Sequence, residues 1–591
     1  MSVCAPMPPQ ADSPVVATAQ PADSAGPRLA APALAALAGL ALSACGGSGD
    51  GASAGVGIDL PSAYPAPGSD ADAARFLQQA QFASTTRDIA NLRTGRYADW
   101  LRRQMDLPRG PTGWDWLEAR GYGVVDSNNY YASTTPADHM IWNQLLSGAD
   151  PVRRRMALAL SEFFVVSMVS ADFNWRSHAM AHYWDTLVGH AFGNFRDLLE
   201  AVTLHPAMGF FLNTRGNQKE NPAKGRVPDE NYAREVMQLF SIGLYRLNID
   251  GTVQTDGSGK PLESYTQDDV TNLARVFTGY DFDKSDGVRL TTASGGTIDS
   301  KDFARKPMRL DPARHSTLAA TFLGVTVPAD TPGEAALQTA MDTLFNHPNV
   351  GPFFARQMIQ RLVTSDPSPA YVARVAERFN DNGRGVRGDL RTVWSAILLD
   401  DEARAPRTPA DTRAGRLREP MVRLVQWAHS FGLGSKEGSW KVGDLSSPSS
   451  RLGQSPLRAP SVFNYFRPGY VPPGTVMAEE QATAPEFQLV NETSVGGYLN
   501  YLQGVIRNGV SADMVAGYTA EWALVNDAAA LVRHVNLVLC AGQLSEATTT
   551  LMIDAISTGQ ATSTSTDTYK LNRIAAVVFM AMASAEYLVQ Q

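Results

Sequence analysis

Residues 228–248 read PDENYAREVMQLFSIGLYRLN, and the spacing of their apolar side chains decides the fold class. Tyr232, Val236, Leu239 and Phe240 fall at i, i+4, i+7 and i+8, which is one buried face of an α-helix. Asp229, Glu230 and Asn231 stand at its start, where acidic and short polar side chains answer the free N–H groups and the positive end of the helix dipole. On the opposite face Asn231, Arg234, Glu235 and Gln238 form one polar stripe. Arg234 and Glu235 are adjacent in sequence and cannot face each other. Each is therefore expected to find a partner on another element, with Asp268 and Asp269 the nearest acidic candidates.

The same period recurs outward from this stretch. Thr266-Gln267-Asp268-Asp269 reads as a capping box with Asp in place of Glu, opening a helix that carries Val270, Leu273, Ala274 and Phe277 and stops by Gly279. Upstream, 152–168 (VRRRMALALSEFFVVSM) begins basic and turns almost wholly apolar, as a buried helix does. Residues 178–202 are amphipathic with Gly189 and Gly193 weakening the middle, and Thr85 or Thr86 caps a helix carrying Ile89 and Leu92. Further helices are expected near 335–346, 350–363, 368–380, 387–402, 417–431, 494–507, 525–539 and 569–587. Strand signals are few: a hairpin across 251–265 turning at Asp256-Gly257-Ser258-Gly259, and an extended segment at 287–300. The expected fold is mainly α, a single large multi-helix domain over 71–591 with a small β-hairpin and long Pro-rich loops.

The N-terminus reads as an address. Residues 29–44 (LAAPALAALAGLALSA) are short for a membrane span and suited to the apolar core of a signal peptide. They end in Leu42-Ser43-Ala44-Cys45 and run into Gly46-Gly47-Ser48-Gly49. This resembles a bacterial lipobox, with Cys45 the acylated residue and two chains on one cysteine giving durable anchoring. Residues 1–45 are thus expected to be a lipoprotein-type leader, although Arg28 is its one basic residue. Residues 46–70 are expected to be a flexible Gly/Ser/Pro tether. Gly46, where inner-membrane retention favours Asp, points to the outer membrane, facing either the periplasm or the surface.

Composition narrows the function. The 591 residues are 44% hydrophobic and 19% charged with a net charge of -8, so bulk electrostatics favour no nucleic acid. Three cysteines (Cys4, Cys45, Cys540) exclude a disulfide scaffold and a multi-cysteine metal centre within one chain. No Gly-x-Ser-x-Gly, Cys–His or Ser-x-x-Lys arrangement occurs in a suitable context. Nine histidines make placement informative. His178 and His182 are i,i+4, a spacing that can hold a metal, but no further ligand is identifiable beside them. His205 precedes Pro206 at a helix end and reads as structural. His315, in LDPARHSTL, is the best candidate for acid–base work.

Several stretches point one way: ARFLQQAQFAST (74–85), HAFGNFRDLLEAVTLHPAMGFFL (190–212), DENYAREVMQLFSIGL (229–244), ARVFTGYDF (274–282), REPMVRL (418–424), SPLRAPSVFNYFRPGYVPPG (455–474) and APEFQLVNE (484–492). In this order they resemble the bacterial family catalogued as domain of unknown function 1800, over roughly residues 71–590. The resemblance implies export and brings no activity with it. Many members carry Phe-Trp-His-x-His-Phe on the helix matching 156–167. Ser161 and Phe163 stand where the two histidines would align, so no metal pair is carried over.

Two readings follow. In one, the protein is an envelope-anchored scaffold or binding partner of another exported protein. In the other, it is an acid–base or metal-assisted hydrolase whose pocket gathers catalytic Glu235 and His315 with binding residues Glu230, Asn231, Arg234, Asp268 and Asp269. No cofactor is assigned by the sequence. The segment 455–474, stiffened by five prolines and carrying Phe463, Tyr465, Phe466 and Tyr470, is either an arm clamping the core or an aromatic groove for a polymer such as a glycan.

Overall fold

The computed structural model describes residues 62–406, 413–559 and 561–591. Helices dominate: 24 α-helices, joined by five separate two-stranded antiparallel pairs, occur among the described residues. The elements that position the site are α1 (Gly113–Ala119), α2 (Pro151–Phe163), α3 (Arg176–His190), α4 (Phe195–Thr203), α5 (Asn231–Gln238), α6 (Gln267–Val276), α7 (Val350–Leu362) and α8 (Pro420–Ser430). The later expected helices form, among them Pro369–Asn380, Glu492–Asn508 and Ala528–Cys540, but 387–402 divides into Leu390–Leu399 and Asp401–Arg404 and 569–587 into Asp567–Ala583 and Ala585–Leu588. The capping box expected at Thr266 with Asp269 forms, and so do boxes of Thr85 with Asp88 and Asn491 with Ser494.

The core is an aromatic junction. Phe163 at the end of α2 meets Phe354 of α7 edge-on at 5.2 Å. Phe195 at the start of α4 packs on Phe354 at 5.0 Å and on Phe379 at 5.4 Å. All four rings are nearly or wholly excluded from solvent. Edge-to-face contacts of this kind add about 0.5–1.5 kcal/mol each beyond area burial.

Four expectations are revised. The helix expected across 178–202 is two, because Gly193 supplies no helix support and Asn194 caps α4 by accepting the Arg196 N–H at 2.8 Å. α5 ends at Gln238, before Leu239 and Phe240. Gly243, at φ +73°, closes the turn there by donating its N–H to the Met237 carbonyl. The hairpin is a wider ribbon held by Tyr245–Glu263, Leu247–Val253 and Thr255–Pro261 bridges. The expected tether is fixed from Ser62: Ser62 Oγ and the Ala63 N–H both donate to Asp401, and Pro65 accepts from the Tyr97 N–H. The leader, Cys45 and residues 46–61 lie outside the described residues. No described helix is long and apolar enough to cross a membrane.

The Pro-rich segment does clamp the core. Leu457 and Ala459 carbonyls accept from the Met168 N–H and Ser167 Oγ, and Arg458 grips Asp138 with two bonds of 2.6 and 2.7 Å. It then continues as one wall of a cleft.

Candidate functional site

The polar stripe of α5 does not assemble into one pocket. Glu230 accepts from Arg234 at 3.1 Å, from Gln267 at 2.8 Å and from Thr271 at 2.7 Å, which stitches α5 to α6. Arg234 is 39% exposed and also reaches Gln267, so its carboxylate partner is Glu230 rather than Asp268 or Asp269. Asp268 is exposed. Asp269 closes the capping box and accepts the Leu323 N–H at 2.7 Å, and Asn231 donates its backbone N–H to Asp229. Glu235 is buried with one carboxyl oxygen unpartnered. Burial raises its pKa, against the pull of Arg234.

His315 is also buried, but as a strut. Its Nδ1 lies 2.9 Å from the Thr278 carbonyl, which can only accept, so Nδ1 carries the proton. The void beside it is about 10 Å³, at the lower limit for one water. Glu235 and His315 share neither a cavity nor a hydrogen bond. The composite pocket expected around Arg234, Glu235 and His315 is replaced by a different one.

That pocket is a cleft of about 440 Å³ where α2, the end of α5, α7 and the Pro-rich segment meet. Phe163, Phe353, Phe463 and Phe466 wall it, and Gln238, Leu239 and Gly243 form one side. Gly243 is required here: a Cβ would stand 2.7 Å from the Phe353 ring. At the polar end sit Glu162 and Arg361, their side chains each 4% exposed, with Glu162 Oε2 3.6 Å from Arg361 Nε.

Neither Glu162 oxygen receives an N–H or hydroxyl bond. Arg361 Nε, Arg155 Nε and Nη1, and the Asn464 amide nitrogen are likewise buried without partners. Of these, Glu162, Arg361 and Asn464 line the cleft, so their free atoms are the ones a bound group could reach.

The carboxyl of Glu162 faces Glu419 at the start of α8. Burial first, then the Glu419 charge and the bond between the two groups, push Glu162 well above the carboxylate range. Burial opposes ionisation of Glu419 as well, but Arg416, the bond from Glu162, Arg155 and Gln454 outweigh it and hold Glu419 down to about 2. Glu419 accepts from Arg416 at 2.6 Å and from Gln454 at 2.7 Å. Arg416 also reaches Glu486, which accepts from Ser365 at 2.8 Å. The two carboxyls are thus pushed apart, Glu162 toward the acid and Glu419 toward the carboxylate, the division of roles that acid–base chemistry uses. Three guanidiniums (Arg155, Arg361, Arg416) face three carboxyls. Burial raises the pKa of the third carboxyl, Glu486, against the pull of Arg416.

Sequence reasoning missed Glu162, whose helix was read by its apolar run. The signal available was that one carboxylate stood inside MALALSEFFVVS, where an unpaired charge is costly. Among the histidines, His178 and His182 turn to different partners, Glu118 at 3.0 Å and His205 at 2.9 Å. No group of three or more His, Cys, Asp or Glu that could hold a metal occurs among the described residues.

No curated protein and no solved structure matches the chain. The family model described as protein of unknown function (DUF1800) matches residues 75–589, which include every segment that builds the cleft. The chain therefore belongs to the DUF1800 family.

Proposed function

We propose that this protein is an acid–base hydrolase of the cell envelope, delivered by its leader and held through acylated Cys45, with Glu162 as the proton donor. The observation that carries the reading is Glu162 itself: a buried, donor-less carboxyl paired with ionised Glu419 at the polar end of an aromatic-walled cleft. In the proposed step Glu162 turns its proton from Glu419 to the leaving-group oxygen of a bound ester or glycoside. Water adds its hydroxyl to the electrophilic carbon, and the water proton returns to Glu162. Arg361 and Asn464 supply donors toward the substrate oxygens, and Glu419 stays ionised throughout.

A panel of methyl and p-nitrophenyl esters and glycosides tests this. A general acid contributes about 10²–10⁴-fold. Glu162→Gln should therefore lose that much on the methyl compounds and far less on the p-nitrophenyl ones, whose leaving groups need no proton. Because the acid must be protonated to act, kcat/KM should fall as pH rises through the elevated pKa of Glu162. Equal rates for wild type and Glu162→Gln on methyl substrates, or no hydrolysis by the wild type, would contradict it.

The ribbon after α5 favours a second reading, docking of an exported partner protein. It exposes Leu244, Tyr245, Ile249 and Val253 at 41–50%. Crosslinking from this ribbon in intact envelopes should trap one recurrent exported protein, and a cleft-dead Glu162→Gln chain should trap it equally.

A further inference from the structure

Among the described residues that line the Glu162 cleft, the buried side-chain atoms without partners are one carboxyl and two donors. Glu162 contributes both oxygens, Arg361 its Nε and Asn464 its amide nitrogen. The rest of Arg361 is engaged. Its Nη1 donates to the Gln357 carbonyl and side chain at 3.1 and 3.3 Å, and its Nη2 to the Glu162 carbonyl at 3.0 Å. Gln238 Oε1 accepts the Tyr265 hydroxyl at 3.0 Å. No second carboxyl occurs among the described lining residues, and Arg467 stands in solvent with its guanidinium 4.6 Å from the centre of the Phe463 ring.

That set suits one ester group and falls short of a sugar. An ester brings a carbonyl oxygen for the two donors and an alkoxy oxygen for the Glu162 proton. As water adds, negative charge builds on the carbonyl oxygen, and a buried guanidinium donor stabilises that charge. A sugar ring brings several hydroxyls, each needing an acceptor as well as a donor, and burying them without acceptors forfeits their bonds to water. Away from its polar end the cleft is apolar. Phe163 and Phe353 meet edge-on at 6.1 Å, Phe466 is buried, and Phe463 and Leu244, at 36% and 50% exposed, form the rim. The polar end is blind, because buried Arg155 and Arg416 bond to the Arg361 carbonyl behind it.

We propose that the cleft takes an ester with one apolar, ring-bearing side and one small side, and does not take glycosides. The ring lies among Phe163, Phe353, Phe463 and Phe466, and the small side fits the blind end beside Glu162. In hydrolysis the hydroxyl of water bonds to the carbonyl carbon and the bond from that carbon to the alkoxy oxygen breaks. The alkoxy oxygen leaves with the Glu162 proton, and the remaining water proton restores Glu162. The ester's role as substrate rests on the acid–base reading of Glu162; the binding preference does not.

Methyl phenylacetate and benzyl acetate are isomers that carry the ring on the acyl and on the alcohol side. They are compared with methyl acetate, benzyl phenylacetate and methyl β-glucoside. Burial of the ring should raise kcat/KM of at least one isomer over methyl acetate about tenfold or more, and the faster isomer gives the side on which the ring sits. Benzyl phenylacetate, large on both sides, should be slower than that isomer, and methyl β-glucoside should not react. Phe463→Ala, at the rim, should cut the advantage of the ring severalfold. Benzyl ethyl ketone and benzylacetone, the unhydrolysable ketones of the two isomers, read binding without turnover. Calorimetry should show at least one of them binding saturably, and methyl β-glucoside not. Glucoside hydrolysis as fast as that of the best ester would keep Glu162 as the acid and overturn this inference. So would equal kcat/KM for methyl acetate and both isomers, or benzyl phenylacetate outpacing both. No hydrolysis of any compound would remove the acid–base reading, and the ketones would then decide the preference: saturable binding upholds it, and no binding overturns it.

Discussion

Arg234 and Arg416 show how burial, rather than charge, decides what a side chain is worth. Both pair with a glutamate, Arg234 with Glu230 at 3.1 Å and Arg416 with Glu419 at 2.6 Å. Arg234 is 39% exposed, whereas Arg416 and Glu419 are at 1% or less. An exposed pair contributes about 0.2–1 kcal/mol, and removing one partner of a buried pair costs about 3–5 kcal/mol. Chemical denaturation should therefore show Arg234→Ala losing less than about 1 kcal/mol and Arg416→Ala about 3–5. Similar losses for the two would mean that the buried network is not what holds α8 to the cleft. The sequence leads one to expect an acidic partner for Arg234 on another element, whereas its partner is Glu230, one turn back along the chain. Helical spacing shows which residues share a face but not whether a second helix covers it. Gln267, read only as part of a capping box, lies across Arg234 and leaves it half in solvent.

At the scale of elements, the helices were legible because 3.6-residue periodicity and caps act locally. Thr85 and Thr266 each end the preceding loop by bonding to their own helix, and no distant contact is needed to predict that. Helix ends set by tertiary contact were less legible. α5 stops at Gln238 so that Gly243 can turn at φ +73° beneath Phe353 and open the cleft. Gly243→Ala places a Cβ 2.7 Å from that ring in a left-handed backbone. Each such residue costs on the order of 1–3 kcal/mol, so the variant should melt earlier and lose binding in the cleft. A variant that melts with the wild type and keeps its ligands would show that the turn is not what shapes the pocket. The cleft itself was not legible, because its walls come from four segments far apart in sequence and Glu162 looks like one polar residue in an apolar run.

For the whole molecule, the boundary between tether and domain moves outward. Ser62 and Ala63 bond to Asp401, Pro65 to Tyr97, Pro67 to Arg93, and Ser69 caps the Asp70–Ala80 helix. Removing residues 1–61 should leave the melting temperature unchanged. Removing 1–69 deletes that cap and the bonds before it, at about 1 kcal/mol each, and should lower stability by a few kcal/mol. Equal melting of the two truncations would return 62–69 to the tether.

The account as a whole rests on Glu162 being a carboxylic acid, and not a carboxylate, in the folded protein near pH 7. Infrared difference spectroscopy of wild type against Glu162→Gln reads this without any substrate. The structure predicts a protonated-carboxyl C=O band at neutral pH that the variant lacks and that fades in the wild type only as the pH is raised. A difference spectrum carrying only carboxylate bands at pH 7 would mean that Glu162 is ionised there, and the proton donor at the centre of the proposed chemistry would not exist.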